Sequence, residues 1–158
     1  MTDPHEPPRG RRLSVSEWRW TVEAACLLPP VVATLRLLGL QRTMTLLDRL
    51  ASITGRQRRS MPSSRDAEFE KAALIARGVD VAARYGLVRP ACLGRSLGLW
   101  WLLRRQGLPA ELRIGVRRVA DDLAAHAWVE HDGQVLIDTA ATVAQFVSLS
   151  GDGSPSAP

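Results

Sequence analysis

The apolar residues of this chain change their spacing once, and that change limits the folds the chain can adopt. Up to Gly107, apolar side chains recur every three to four residues, as in helices with one buried face. From Glu111 they alternate with polar side chains, for example in ELRIGVRRV at 111–119, and this alternation indicates β-strands. Helices followed by a small antiparallel sheet make an α+β domain.

Two helical regions are predicted in the first half of the chain. The first runs from Ser14 to about Ala51, with Ser14 or Ser16 as its N-cap. It is expected to be cut at Pro29-Pro30, because proline lacks the N–H that a helix interior needs. The second is predicted at about 64–84, with acidic residues near its positive N-terminal end.

A third helix is predicted to begin at Cys92, in ACLGRSLGLWWLLRRQG at 91–107. The unpaired N–H groups and the dipole of a helix N-terminus stabilise negative charge, so a thiol there can act as a thiolate nucleophile. The alternative is that Cys92 is a small buried apolar residue. The other cysteine, Cys26, has apolar helical neighbours and is expected in the core. Two cysteines do not suggest a disulfide framework.

A thiol nucleophile also needs a base and a group that orients the base. His126, in AHAWVE, lies within a predicted strand, whereas His5 falls in the N-terminal tail and His131 in a turn. Asp138, in LIDTA, lies near the end of the next predicted strand. A carboxylate there would be costly without a partner, so Asp138 is the candidate to orient His126.

The turn of this predicted hairpin decides whether His126 and Asp138 can meet. A two-residue turn at Asp132-Gly133 would pair His126 with Thr139 and put Asp138 on the opposite face. A three-residue turn at 131–133 pairs His126 directly with Asp138, with Cβ atoms about 4.5–5.5 Å apart, and is therefore predicted. The face expected to pack against the third helix carries His126, Trp128, Leu136 and Asp138. The N-terminal helices are expected to cover the other face.

Several other kinds of function are not predicted. The net charge is +5, and 20 of the 21 basic residues are arginines, scattered apart from RQRR at 56–59 and the pairs at 11–12, 104–105 and 117–118. Aromatic residues are not interleaved with them as a single-strand binding surface requires, so nucleic-acid binding is not expected. No CxxC or HxxxH pair is present, and we expect neither a metal site nor a cofactor. Arg95 and Ser96, one turn beyond Cys92, are expected to serve helix packing and ion pairing.

Localisation is expected to be cytoplasmic. No signal peptide is visible, and the N-terminus MTDPHEPPRGRR is polar and rich in proline. The most apolar stretch, 24–40, is broken by Pro29-Pro30 and carries Arg36. It therefore falls short of the roughly 20 apolar residues that a spanning helix needs.

Three segments resemble a known family: CLGRSLGLWWLLRRQGLPAELRIGV beginning at Cys92, AHAWVE around His126, and LID ending at Asp138. They are similar to the stand-alone B2 leader peptidase of lasso peptide biosynthesis, a family of the transglutaminase-like (papain-like) cysteine protease superfamily. The resemblance implies a cysteine protease with a triad of Cys92, His126 and Asp138. It would remove the leader from a ribosomally made precursor peptide and free the core N-terminus for a separate ATP-dependent cyclase.

The chain is expected to divide into a disordered tail at 1–12, an N-terminal helical region at 13–63, a transglutaminase-like peptidase core at 64–147 and a flexible tail at 148–158. The partners implied are the precursor peptide, the leader-binding recognition-element protein B1 and the cyclase. The N-terminal region is too short for a fused winged-helix domain, so a separate B1 is implied, and the apolar N-terminal helices are a candidate docking surface for B1 or the cyclase. Two alternatives remain: a transglutaminase-like acyl transferase or amidase, and a non-catalytic scaffold.

Overall fold

The computed structural model describes residues 14–55, 64–120 and 122–149. Its helices are α1 (Val15–Gly55), α2 (Arg65–Tyr85), α3 (Cys92–Arg105) and α4 (Ala140–Val143). Its strands are β1 (Glu111–Val119), β2 (Asp122–His131), β3 (Gln134–Leu136) and β4 (Val147–Ser148). The strands form one antiparallel sheet in the order β3-β2-β1-β4. The predicted α+β class is confirmed.

The N-terminal ends of α1 and α2 are capped by serines. Ser14 Oγ accepts a hydrogen bond from Glu17 N–H (3.2 Å), and Glu17 Oε2 accepts one from Ser14 N–H (2.8 Å). This reciprocal pair is a capping box, which satisfies two backbone donors that the helix leaves unpaired. Ser64 accepts from Ala67 N–H at the start of α2. Both helices therefore begin where their sequence signals predict.

The break in α1 lies at a different residue from the one predicted. The helix continues through Pro29-Pro30, and its non-helical residue is Gly39 (φ 76°, ψ 174°). Proline has a helical φ, and the burial of Leu28 and Val31 beside the two prolines offsets the lost backbone hydrogen bonds. Gly39 adopts a φ that costs glycine little, so the kink forms there.

The hydrophobic core lies between the three long helices and extends to one face of the sheet. On α1 the buried positions include Trp20, Ala24, Leu28 and Val31, which recur at helical spacing. Cys26 lies about 200° around the helix from Ala24 and is exposed. The prediction that Cys26 belongs to the core is therefore wrong.

The β2–β3 hairpin has a two-residue turn, so the predicted three-residue turn is wrong. His131 pairs with Gln134, and both Asp132 (φ 49°) and Gly133 (φ 75°) are left-handed. Left-handed geometry at both positions matches the twist of the flanking strands, and Asp-Gly is a preferred sequence for it. This local preference sets the register of the hairpin.

The register separates residues that were expected to share a face. Leu136 pairs with Val129, and both side chains belong to the helical core. His126 and Trp128 alternate with Val129 along β2 and therefore lie on the other face. Phe146 packs on that face, against His126 and beside Gly115. The opposite face, which the N-terminal helices were predicted to cover, carries Val129, which belongs to the core shared with α1 and α2, and α2 contacts β3. Because of this register, the predicted packing of the His126 face against α3 is wrong.

The C-terminal segment of the described chain completes the sheet. Ser148 of β4 pairs with Gly115 of β1, and Leu149 N–H donates to Ile114 O (2.7 Å). Ser148 and Leu149, which were assigned to the tail at 148–158, are instead hydrogen bonded to β1. The predicted tail at 1–12 and residues 150–158 lie outside the described residues.

By length and composition alone, α1 is long and apolar enough to cross a membrane. Core helices of soluble proteins and signal sequences meet the same criterion. The expectation that this region is too short to span depended on a cut at Pro29-Pro30, and α1 is continuous there.

Candidate active site

The candidate site lies where α3 begins, beside β2 and the segment that follows β3. Cys92 is the first residue of α3, and its side chain is half-buried. The N-cap, Ala91, provides no side-chain hydrogen bond to the first turn. The backbone N–H groups of that turn have no acceptor within the helix, so its positive end is directed at the region around Cys92.

His126 and Asp138 lie together, although they do not pair across the hairpin. His126 Nε2 is 3.4 Å from Asp138 Oδ1, and the two side chains are 17% and 13% exposed. The His126 Nε2 atom is buried and makes no hydrogen bond within the part of the chain that the structure describes. The Asp138 carboxylate is therefore at ion-pair distance from this nitrogen rather than in a well-aligned hydrogen bond.

The chain reaches this arrangement by leaving the regular strand. Continued as a strand, the two-residue turn would have put Asp138 on the face opposite His126. Instead β3 ends at Leu136, and Ile137 takes a φ of 73°. This is an outlier for a β-branched residue, and it redirects the backbone just before Asp138. A backbone turn thus brings Asp138 to His126, where we had predicted strand pairing.

Arg95 contacts the same carboxylate. Its Nη2 atom is 3.2 Å from Asp138 Oδ1, and its Nη1 atom is 3.3 Å from Asp80 Oδ1 of α2. The expected ion pairing of Arg95 therefore includes the carboxylate that faces His126. Arg95 follows Cys92 by three residues and lies on the same side of α3, which is the sequence signal that could have linked it to the site.

Ser96 connects α3 to the strand that bears the histidine. Its buried Oγ donates a hydrogen bond to Ala127 O (2.8 Å), the carbonyl of the residue after His126. One side of α3 carries Cys92, Arg95 and Ser96. The thiol therefore lies one helical turn from the Arg95 ion pair with Asp138 and from the Ser96 hydrogen bond to β2. Cys92 Sγ itself forms no hydrogen bond among residues 14–55, 64–120 and 122–149. Catalytic contacts are often long before substrate binds.

Two aromatic rings hold the imidazole of His126. Trp128 stacks with it at a centroid distance of 6.2 Å, and Phe146 lies 5.2 Å from it. Trp128 is itself fixed by a hydrogen bond from Nε1 to Glu130 Oε1 (2.8 Å). Trp128 was recognisable from sequence as a neighbour two residues along the strand, whereas nothing in the sequence linked Phe146 to His126.

The other histidines do not join this group. His131 is buried at the hairpin turn, where Nδ1 contacts Pro109 O, and His5 lies outside the described residues. In the described ranges, no three His, Cys, Asp or Glu side chains are grouped so that they could hold a metal ion. The chemistry available at the site is that of a thiol, an imidazole and a carboxylate, which together support acyl transfer through a thioester.

A helix that begins at a cysteine, followed by a strand-borne histidine in contact with an aspartate, gives this α+β domain the layout of a thiol acyl-transfer enzyme. A family model described as the transglutaminase-like superfamily matches residues 34–151, more than half of the chain. The chain belongs to the transglutaminase-like superfamily, whose members are generally cysteine-dependent enzymes. The other two comparisons find no matching curated protein and no matching solved structure.

Proposed function

We propose that this protein is a cysteine peptidase that removes the leader from a ribosomally synthesised lasso peptide precursor. The observation that carries the proposal is the 3.4 Å contact between His126 Nε2 and Asp138 Oδ1, next to the helix that begins at Cys92. Membership of the superfamily supports thiol-dependent acyl chemistry. The leader peptidase role rests on the resemblance of the segments around the three residues.

Catalysis begins with attack of the Cys92 thiolate on the scissile carbonyl carbon. The peptide C–N bond breaks as His126 gives its proton to the departing amine of the core peptide, and the leader remains bound as a thioester. Water then gives a proton to His126, adds to the thioester and releases the leader with a free carboxylate. The Cys92 N–H, at the positive end of α3, stabilises the oxyanion. Asp138 faces Nε2 of His126 at 3.4 Å, which leaves Nδ1 to serve the thiol.

The outer side of α1 is the proposed docking surface for the recognition-element protein B1. The acidic side chains of α1 all pair with arginines of α2 or α3: Glu17 with Arg77, Glu23 with Arg105 and Asp48 with Arg104. The remaining charged side chains of α1 are exposed arginines at positions 19, 36, 42 and 49. Exposed apolar side chains lie between them, including Trp18, Val22 and Leu37. This surface suits a partner with acidic and apolar groups.

Surface substitutions test the docking proposal better than removal of residues 13–51, because α1 contributes Ala24, Leu28 and other residues to the core. We expect Val22→Ser with Leu37→Ser to weaken B1 binding at least about tenfold, as truncation of central interface residues does. Thermal stability should not change, because both side chains are exposed. Unchanged affinity in calorimetry would place the B1 site elsewhere.

The activity is tested with the purified protein, B1 and the precursor peptide, and the products are identified by mass spectrometry. We expect a leader-sized fragment from the wild type and none from Cys92→Ala. Cys26→Ala is the matched control, since Cys26 is an exposed cysteine of α1, away from the candidate site, and it should cleave normally. Intact precursor with wild type would refute the peptidase proposal. Transfer of the leader acyl group to an added amine, in preference to water, would indicate the acyl transferase.

A further inference from the structure

We propose that Arg95 is a positioning residue that holds the Asp138 carboxylate against His126, and that Asp80 of α2 holds Arg95 in turn. The kinetic part of this inference rests on the proposed peptidase function. The geometric part concerns how a carboxylate outside the sheet is kept beside the histidine.

The guanidinium of Arg95 bridges two carboxylates. Nη1 lies 3.3 Å from Asp80 Oδ1 and Nη2 lies 3.2 Å from Asp138 Oδ1. The second oxygen of Asp80 is 3.0 Å from Arg84 Nε, so Asp80 is held as well. A planar guanidinium that is engaged at both terminal nitrogens cannot turn away from either partner without losing an ion pair. The four side chains alternate in charge from α2 to the segment after β3.

Asp138 needs such an anchor because no strand pairing holds it. The pairing of β2 with β3 ends at Leu136, and the left-handed Ile137 separates Asp138 from the strand. Within the described chain, the ionic contacts of its carboxylate are with Arg95 and His126. The Arg95 contact is thus the one that ties this carboxylate to a rigid helix.

Arg95 also links the base to the nucleophile. It follows Cys92 by three residues on α3, so its position relative to the thiol is set by helix geometry. Asp138 in contact with Arg95 is therefore held at a defined place relative to Cys92, and His126 is oriented by Asp138. When His126 takes the thiol proton, the fixed carboxylate stabilises the imidazolium without having to move.

A double-mutant cycle tests whether Arg95 acts through Asp138. We expect Arg95→Gln to lower kcat for precursor cleavage by about 10- to 100-fold, with KM changed by less than about twofold. In an Asp138→Asn background, the same substitution should lower kcat by less than about threefold, because residues that act as a unit are not additive. Arg95→Lys, which keeps the charge but not the fork, should lie between wild type and Arg95→Gln.

The matched control is Arg104→Gln. Arg104 also lies on α3 and pairs with a carboxylate, Asp48 Oδ1 at 2.9 Å, but at the other end of the helix. With B1 in saturating excess, so that the unpaired Asp48 on the proposed docking surface does not limit the rate, this variant should retain wild-type kcat. Thermal unfolding of each variant identifies any that do not fold. If Arg95→Gln does not fold, Arg95→Lys replaces it in the cycle. Multiplicative losses in the cycle, or a wild-type kcat in Arg95→Gln, would overturn the inference.

A substrate-free measurement separates this inference from the proposed function. Iodoacetamide alkylation at pH 6 compares Cys92 with Cys26, an exposed thiol of the same chain. We expect Arg95→Gln to slow alkylation of Cys92 about threefold or more and to leave Cys26 unchanged, because a misplaced His126 no longer pairs with the thiolate. This result without precursor cleavage would retain the Arg95 role and reject the leader peptidase. Equal Cys92 rates in wild type and Arg95→Gln would reject the Arg95 role.

Discussion

Gly115 of β1 lies opposite His126, and its replacement by alanine tests how the aromatic rings hold the site. A Cβ built there would be 2.9 Å from Phe146 Cβ and 2.9 Å from Trp128 Cη2. Non-bonded carbon atoms rest at about 3.5–4.0 Å, so both neighbours would have to retreat by about 0.6 Å or more. Neither yields easily, because Phe146 Cβ adjoins its own backbone and Trp128 is 3% exposed and hydrogen bonded.

The expected cost follows from these contacts. Overpacking costs about 1–3 kcal/mol, and the lower chain entropy of alanine in a strand returns about 0.5–1 kcal/mol. The free energy of unfolding should therefore fall by about 0.5–2 kcal/mol, which lowers Tm by roughly 1–8 °C in a chain of this length. The new methyl group separates the two rings that flank His126. Since misplacement of a catalytic group by about 1 Å costs about 100-fold in rate, we expect kcat to fall at least about tenfold.

Thermal unfolding followed by circular dichroism measures the first effect, and precursor cleavage well below Tm measures the second. Gly98→Ala in α3 is the control: its Cβ would lie 2.8 Å from Leu28 Cδ2, the far end of a side chain that packs in the helical core. It should shift Tm without a specific loss of kcat. A Gly115→Ala protein with wild-type Tm and kcat would refute the packing argument, as would equal losses of kcat in both variants.

Three further changes test the fold. Gly78→Ala should lower the free energy of unfolding, measured in urea, by about 1–3 kcal/mol, because its Cβ would lie 2.6 Å from Trp20 Cβ in α1. Alanine is the better helix former, so a stabilised variant would contradict this close approach. Ser96→Ala should cost about 1 kcal/mol in the same assay through loss of the hydrogen bond to Ala127 O, and no change would mean that this tether is not stabilising. Gly133→Ala should lower the free energy of unfolding by about 1–2 kcal/mol because of its φ of 75° alone, since nothing lies within 4 Å of the added Cβ. An unchanged Tm in thermal unfolding would argue against the left-handed turn.

Local signals in the sequence were sufficient for the class of fold and for most element boundaries. The alternation in 111–119 matches β1, and Cys92 opens α3 as predicted. Ser14, one of the two predicted N-caps, caps α1, and α2 begins within one residue of its predicted start. These features are set by residues within one or two turns of each other, so propensity, capping and periodicity are enough to find them.

Side-chain burial and strand register depended on competition between local and tertiary preferences. Cys26 has apolar neighbours in sequence, but the direction in which α1 packs leaves it exposed. Pro29-Pro30 breaks a helix in isolation, yet burial of the surrounding apolar side chains keeps α1 continuous there. At the hairpin, the preference of Asp132-Gly133 for a two-residue turn prevailed over the register that would have paired His126 with Asp138.

For the candidate triad, the sequence identified the residues but not the contacts that bring them together. Sequence alone identified Cys92, His126 and Asp138 as candidates, through residue type, position on predicted elements and resemblance to a family. Tertiary structure decided how Asp138 reaches His126: by the left-handed Ile137 and by Arg95, which lies 43 residues away in the chain. The reason is physical. Periodicity reports which face of an element is buried, whereas an ion pair between distant segments depends on how the helices and the sheet pack together.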